Sequence, residues 1–504
     1  MLRKVKSNIL GEIESHRVVY IFLAIILLLA FFVRVYRTEA LLGFYYDQGR
    51  DALVIWKLWH EGKLFLIGPV TGLSGIFLGP FYYYLIAPFY LIGSGNPVYP
   101  AVFLAFLSTL AILILYILGR SMHSRTAGIV ATIIGAFSYN IMTFGRWLSN
   151  PNPIFLISLL LLYSMWMVIR GAGKKWWIAI FFLAGLSLHF EAASAVFYIP
   201  MILVFMLFNR KSLPNIKVWL ISIGFFAVTL LPQVLFNFRH DNILIDNFFK
   251  LFIKEKAFRG ITQYFFENRM AYFWEAFSNK LYAGGSKYAY IFLTISFSAI
   301  AVGRKVFESG LLKLFLIFII TPLFFYTFYQ GNYGNLYDYY LSGYYMPFLL
   351  LFSIGLAELA KTKLGKIVVL IFFVTFFRQN GMLTKNLLTA TYKTRPLSLE
   401  DELQAVNWVF EDAKGRSRYN VDVYVPPVIP HSYDYLFLWK GTSLCGDDLC
   451  GQADEHSKLL YILYEADPPH PERLEAWLNK YENTTVIESE EKYGHITVQR
   501  RERL

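Results

Sequence analysis

The chain has 504 residues, 56% hydrophobic and 16% charged, against about 45–50% and about 25% in a typical soluble domain. As one water-soluble globule it would expose far too much apolar surface, and its low charge and lack of a short repeat exclude disordered, collagen and coiled-coil classes. The formal charge of +12 divides into +18 on residues 1–384 (33 basic, 15 acidic) and −6 on residues 385–504 (14 basic, 20 acidic). The basic residues sit in short clusters between long apolar runs, so the excess is a membrane-topology signal and not a nucleic-acid footprint.

Apolar runs of about 20 residues, enough to cross a bilayer, start near residues 18, 98, 126, 152, 175, 193, 217, 287, 312, 341 and 367, which predicts eleven spans. With the N-terminus in the cytoplasm, the inner connections hold Arg3/Lys4/Lys6/Arg17, Arg120/Arg125, Arg170/Lys174/Lys175, Arg210/Lys211/Lys217, Arg304/Lys305/Lys313 and Lys361/Lys363/Lys366. Against these 18 cations stand only Glu12, Glu14, Glu308 and Glu358; the other 11 acids of residues 1–384 fall on the opposite side. The expectation is an integral protein of the cell membrane with its N-terminus cytoplasmic and residues 385–504 outside. The first apolar run lacks a small-residue cleavage site, since the chain continues Phe31-Phe32-Val33-Arg34-Val35-Tyr36, and it reads as an uncleaved helix.

The first large outside loop, about residues 35–97, opens with Phe44-Tyr45-Tyr46-Asp47-Gln48-Gly49-Arg50-Asp51-Ala52. Ala52, Ile55, Trp56 and Trp59 then recur at helical spacing, which predicts a helix lying in the membrane interface and closed by Gly62. Asp47 and Asp51 fall one turn apart with Arg50 beside both. Either Asp47 caps this helix while Arg50 neutralises Asp51, or Asp47 stands just above the bilayer as a general base or substrate ligand. Gly68-Pro69 and Gly79-Pro80 bracket the stretch 71–78, and the aromatic run Phe81–Pro88 predicts a second interfacial helix. Two such helices flanking an acid form a groove open to lipid.

A second outside region covers about residues 236–286. Further on, Tyr333-Gly334-Asn335-Leu336-Tyr337-Asp338-Tyr339-Tyr340 offers phenol faces and hydroxyls suited either to a sugar or to an interfacial aromatic belt. In the tail, the apolar runs Val421–Val425, Leu459–Leu463 and Thr485–Ile487 alternate with helical patterns at Leu399–Phe410 and Pro471–Tyr481, which predicts a small α/β domain. Cys445 and Cys450 are the two cysteines. On an oxidising face a local disulfide is the first reading and free thiols the other, and no further ligands stand at zinc-like spacing. Asn483-Thr484-Thr485 is a glycosylation sequon, a short motif common by chance.

An acid in a large first outside loop with interfacial helices, many spans and an outside C-terminal domain resembles the GT-C glycosyltransferases. More closely, the chain resembles the protein O-mannosyltransferase and aminoarabinose-transferase group, glycosyltransferase family 39. The residues that carry the match are Tyr46-Asp47-Gln48-Gly49-Arg50-Asp51-Ala52, Gly79-Pro80-Phe81-Tyr82-Tyr83, Ser138-Tyr139-Asn140 with Arg146, Gly185–Glu191, and Leu231-Pro232-Gln233 with Phe236–His240. The resemblance implies a GT-C-like transmembrane catalytic domain over residues 1–384 and an extracytoplasmic α/β domain over 385–504.

It also implies transfer of a sugar from a polyprenyl-phosphate lipid donor to a hydroxyl of a glycan, lipid or protein acceptor at the outer face, by a single inverting displacement. A carboxylate must take the acceptor proton, which points to Asp47 with Asp51 second. Cations must meet the departing phosphate, which points to Arg50, Arg146, His189, Arg239 and His240, all expected at outer span ends. Gln48, Glu191, Tyr337 and Asp338 complete the expected substrate-binding set. The plainer alternatives are interfacial snorkelling for Arg146 and Arg239, and a neutral hydrogen-bonded pair for His189 and Glu191. Many family members carry Asp-Glu where this chain has Asp47-Gln48, and Gln48 cannot act as a base. With fewer adjacent carboxylates the case for a tightly held divalent cation weakens, and metal use stays open. Two rivals remain: an oligosaccharide ligase or polymerase using polyprenyl-diphosphate donors, and a non-catalytic lipid-sugar transporter. The latter expects midplane charges and an internal repeat, neither of which the chain displays.

Overall fold

The structure, a computed structural model, describes residues 11–71, 75–254, 257–285, 287–303, 310–426, 429–453 and 456–504. Arg3, Lys4, Lys6, Arg304, Lys305 and Glu308 of the basic-cluster reading, and Gly72, Leu73 and Ser74 of the first loop, lie outside the described residues.

The chain enters through α1 (Arg17–Val35) and a single turn, α2 (Thr38–Leu41). The first loop then carries α3 (Tyr46–Glu61) and α4 (Phe81–Ile92). After α5 (Val98–Met122) come α6 (Arg125–Phe137) and α7 (Tyr139–Arg146), which meet at a bend of 62°. Next are α8 (Ile154–Ile169), α9 (Trp176–Ser187), the turn α10 (Ala192–Ala195), α11 (Tyr198–Phe208), α12 (Ile216–Arg239) and α13 (Ile243–Phe249). The bundle ends with α14 (Gln263–Ser278), α15 (Lys287–Val302), α16 (Leu311–Phe328), α17 (Ser342–Leu359) and α18 (Lys363–Leu388).

Each of the eleven expected span starts falls on an apolar helix, but the lengths do not yield eleven crossings. Among the described residues, six helices are long and apolar enough to cross a membrane, or seven if the bent α6–α7 pair counts as one. The apolar segments Ile154–Ile169, Trp176–Ser187, Ala192–Phe208 and Lys287–Val302 are shorter. Apolar runs in the sequence continue through turns where the helices stop, so a window of residues overstates helix length.

The bend after α6 has a physical cause. It frees the carbonyls of the last turn of α6, and a buried arginine collects them. Arg34, in the last turn of α1, donates to the carbonyls of Gly135 (3.0 Å), Ala136 (3.1 Å) and Ala30 (2.9 Å), and its Nε to Ser108 Oγ (3.3 Å). An arginine within a membrane helix is costly unless so satisfied. Arg34 therefore fixes how α1 seats against α6 and α7.

The polar C-terminal part contains α19 (Leu399–Ala413), β1 (Tyr419–Tyr424), α20 (His431–Cys445), β2 (Leu459–Glu465), α21 (Pro471–Glu482), β3 (Thr485–Tyr493) and β4 (Ile496–Arg503). The sheet order is β1-β2-β4-β3, with β1 and β2 parallel and the other pairs antiparallel. Leu459–Leu463 of β2 are buried, as a central strand covered on both faces requires. Cys445 and Cys450 are joined as a disulfide that ties the end of α20 to the following turn.

This part grips the first loop. Leu399 N–H donates to the Leu42 carbonyl (2.8 Å), and Tyr45 Oη to the Leu397 carbonyl (2.8 Å). Tyr435 Oη and Trp439 Nε1 donate to the carbonyls of Gly95 (2.5 Å) and Ser94 (2.7 Å). The start of α20 approaches α3 so closely that a Cβ at Gly49 would overlap the backbone of His431 and Ser432. Glycine is needed there for contact, not for backbone freedom.

Candidate functional site

The first turn of α3 places Asp47, Arg50 and Asp51 on one side of the helix. Arg50 Nη1 reaches Asp47 Oδ1 at 2.8 Å, while its Nε and Nη2 reach Asp51 Oδ1 at 3.0 and 2.7 Å. Asp51 also accepts from Tyr83 Oη of α4 (3.0 Å), which fastens the two first-loop helices together. The two acids differ sharply in setting: the Asp47 side chain is 58% exposed and that of Asp51 only 7%. Burial pushes the Asp51 carboxyl up to about 6, with Arg50 opposing the rise. Arg50, 15% exposed, also lies over the Tyr46 ring at 5.7 Å. Of the plainer alternative one half is seen and one is not: Arg50 pairs with Asp51, but Tyr45 and Gln48 cap α3, and Asp47 is left with a reachable carboxylate.

Gln48, the amide beside Asp47, holds two parts of the fold together. Its Oε1 accepts from Tyr45 N–H (3.1 Å), capping α3, and its Nε2 donates to the Leu148 carbonyl (3.1 Å). Leu148 follows Trp147, whose ring lies 6.2 Å from that of Tyr339.

The predicted cations have divergent fates. Arg146 donates to the carbonyls of Val33 (2.6 Å) and Tyr36 (2.9 Å), so it closes the C-terminal end of α1. His189 is buried, accepts from Phe81 N–H at Nδ1 (3.2 Å) and bonds the Thr229 carbonyl through Nε2 (2.7 Å). Those partners specify a neutral ring protonated at Nε2, and burial lowers its basicity further. The ring also lies where a Cβ of Gly79 would be, which explains glycine in Gly79-Pro80. Arg239 is exposed at the end of α12, and exposed His240 stacks on Phe236 at 4.0 Å. Phe236 in turn faces Phe77 of the first loop at 6.0 Å.

His189 and Glu191 do not pair. Glu191 caps α10 by accepting from Ala193 N–H (3.0 Å), and burial pushes its carboxyl up to about 8. The phenols of Tyr326, Tyr339, Tyr340 and Tyr344 lie within its electrostatic reach, and Tyr339 feels Asp47 as well. Tyr339 is thus the link between the start of α3 and the 333–341 loop.

Asp338 of that loop, one of the expected substrate-binding residues, has a partner that sequence reasoning missed, Lys280. Asp338, its side chain 54% exposed, accepts from Lys280 Nζ at 2.8 Å on both oxygens, and from Tyr345 Oη at 2.8 Å. Lys280 itself is only 6% exposed, and its ammonium lies 4.2 Å from the Tyr345 ring centre. Burial lowers its basicity while Asp338 opposes that. The exposed ring of Tyr337 stacks with that of Tyr339 at 5.6 Å. The one sequence signal for Lys280 is that it lies outside the inner basic clusters, on the side that the charge pattern expects to be poorer in cations.

No group of three or more His, Cys, Asp or Glu among the described residues could hold a metal ion. Around Asp47 and Asp51 the reason is specific: the Arg50 guanidinium lies between the two carboxylates, where a divalent cation would have to bind, so these residues do not fit one.

Comparison with known proteins agrees with this architecture. The sequence profile of the dolichyl-phosphate-mannose-protein mannosyltransferases matches residues 78–236. No curated protein sequence matches significantly. ArnT from Cupriavidus metallidurans bound to undecaprenyl phosphate superposes with a TM-score of 0.58 at 11% identity, covering 95% of this chain and 97% of that one. The apo form of the same protein gives 0.59 at 10% identity with the same coverage. The Archaeoglobus fulgidus oligosaccharyltransferase in complex with Zn and sulfate gives 0.51 at 13%, covering 88% of this chain and 67% of that one. At such identities the likeness establishes the fold: a GT-C-type integral membrane architecture with a small C-terminal sheet, as the first-loop residues led one to expect.

Proposed function

We propose that this protein transfers a sugar from a polyprenyl-phosphate donor to an acceptor hydroxyl at the outer face of the cell membrane, with Asp47 as the base. The carrying observation is a half-exposed carboxylate on the first turn of α3, its charge steadied by Arg50 and its helix tied to α4 through Asp51 and Tyr83. Support for the donor class comes from the fold shared with an undecaprenyl-phosphate-bound ArnT and from the mannosyltransferase profile over residues 78–236.

Asp47 takes the acceptor proton as the hydroxyl oxygen attacks the anomeric carbon, and the bond to the lipid phosphate breaks on the opposite side. One displacement inverts the anomeric centre. Arg50 aims Asp47, since a guanidinium holds an oxygen by directed hydrogen bonds. Tyr337 and Tyr339 offer aromatic faces to the sugar. In this reading the N-terminus is cytoplasmic, and residues 385–504 stand outside the membrane as a separate domain.

The test is Asp47→Asn, purified in detergent beside the wild type and assayed with labelled polyprenyl-phosphate sugars. Transfer should fall by about 10²–10⁴-fold, the range of a general-base contribution, with unchanged thermal unfolding. Near-normal transfer by this variant removes Asp47 from the mechanism.

A further inference from the structure

The donor chemistry just proposed requires a cation where the lipid phosphate departs. The five cations expected from sequence serve this poorly. Arg50 is shared by two carboxylates, Arg146 closes α1, and His189 is neutral between Phe81 and Thr229. Arg239 and His240 are exposed, where water screens a charge.

Lys280 differs from all five. Its ammonium is buried, and among the described residues its one charged contact is Asp338, a carboxylate more than half exposed. The pair therefore has an inner cation and an outer, exchangeable anion. Its backbone is held from three sides: Ser138 Oγ donates to the Lys280 carbonyl (2.6 Å), Asn140 Nδ2 to that of Asn279 (2.9 Å), and Asn380 Nδ2 to that of Leu281 (2.8 Å). The main chain that carries this cation is thus held, so the group that must move when a second anion arrives is Asp338. Unused donors lie close by. The Tyr272 hydroxyl is buried without a hydrogen-bond partner and lies within electrostatic reach of Asp338 and Arg269. Nε of buried Arg269 is likewise unpartnered, while its Nη2 binds the carbonyls of Tyr329 and Gly334, both at 3.0 Å. Buried donors without acceptors are unfavourable, and a phosphate is rich in acceptor oxygens.

Resting on the donor class proposed above, we infer that Lys280 is the cation that receives the donor phosphate, with Asp338 as the resident anion that the phosphate displaces. The exchange favours the transition state over the ground state. A sugar phosphodiester carries one negative charge; as the sugar leaves, the phosphate becomes a monoester approaching two. Lys280 is bound more strongly by the second form, which is the differential interaction that accelerates transfer.

An ion pair that is merely structural should suffer alike from loss of either partner, whereas an exchange site predicts opposite signs. Full-length protein in detergent is titrated with undecaprenyl phosphate, and separately with inorganic phosphate, for the wild type, Lys280→Met, Lys280→Arg and Asp338→Asn. Lys280→Met should weaken lipid-phosphate binding by about tenfold or more, Lys280→Arg should retain most of it, and Asp338→Asn should tighten it severalfold. Inorganic phosphate competing with the lipid, with the same order among variants, also supports the site and assigns it to the phosphate alone. Unchanged binding by Lys280→Met, or weakening by Asp338→Asn, overturns the inference while the donor reading stands. Absence of lipid-phosphate binding to the wild type defeats both. If Lys280→Met does not fold, Lys280→Arg and Asp338→Asn still decide the sign.

Discussion

Two places in this protein pair a solvent-reaching aspartate with a sheltered cation, and they are built differently. At the start of α3, Asp47 is 58% exposed and Arg50 15%; in the 333–341 loop, Asp338 is 54% exposed and Lys280 6%. Arg50 is divided between Asp47 and buried Asp51, so that group carries a net negative charge. Lys280 faces one carboxylate, and that group is neutral. An acid that must accept a proton profits from the first arrangement, because half of a guanidinium orients it without neutralising it. An anion arriving from solution profits from the second, where a single carboxylate is exchanged for it. Planar Arg holds two partners at fixed angles, and Lys holds one point of charge.

The comparison can be broken most directly by Asp47→Asn, for which the loss of transfer is the largest effect expected. Next comes Arg50→Met. It leaves the Asp51 carboxyl buried without its cation, and should destabilise the protein by about 3–5 kcal/mol as well as impair transfer. Thermal unfolding in detergent reads this, and an Arg50→Met protein as stable as the wild type would refute the shared-cation description. Gly49→Val follows. Its side chain must displace the start of α20, so the expected penalty is about 1–3 kcal/mol together with faster proteolysis of residues 399–504. Unaltered unfolding and cleavage would mean the contact yields freely.

The smallest effect concerns pH. The Asp51 carboxyl is raised to about 6 in the folded protein, against about 3.9 in an unfolded chain. Between these values the folded state binds more protons, so stability contributed at low pH is lost as pH rises from about 4 to about 6 and does not fall further above that. Asp51→Asn removes this dependence. Its unfolding temperature should gain on the wild type across that interval and run parallel to it at higher pH. A constant offset throughout would show that Arg50 holds Asp51 ionised at all these values.

Much of the α3 group was legible from sequence because it is local: residues at spacings of one, three and four on a helix must meet. Asp338 stood out in its tyrosine-rich loop, but its partner Lys280 did not, since 58 positions separate the two. Gln48 read as a lost carboxylate, yet it caps one helix and holds a distant carbonyl, a task that an amide performs and a carboxylate cannot. His189 read as a cation because only its position in the sequence was visible; its neutrality follows from a carbonyl of α12 and an amide of α4, contacts that tertiary packing creates. The apolar helices were located correctly by composition, but their lengths depend on turns such as Ser187–Glu191 that no hydropathy window resolves.

The fit of Gly49 beneath His431 has a consequence for how the protein is made. The helix bearing Asp47 leaves the ribosome early, whereas the surface against which it rests is translated after every membrane helix has emerged. A chain halted before α20 would hold α3 only from one side, through Tyr83 on Asp51 and Gln48 on the Leu148 carbonyl, and would lack the surface beneath Gly49. The contact between α3 and α20 can therefore form only after the intervening apolar helices have been made. A segment translated late thus completes the packing of one translated early.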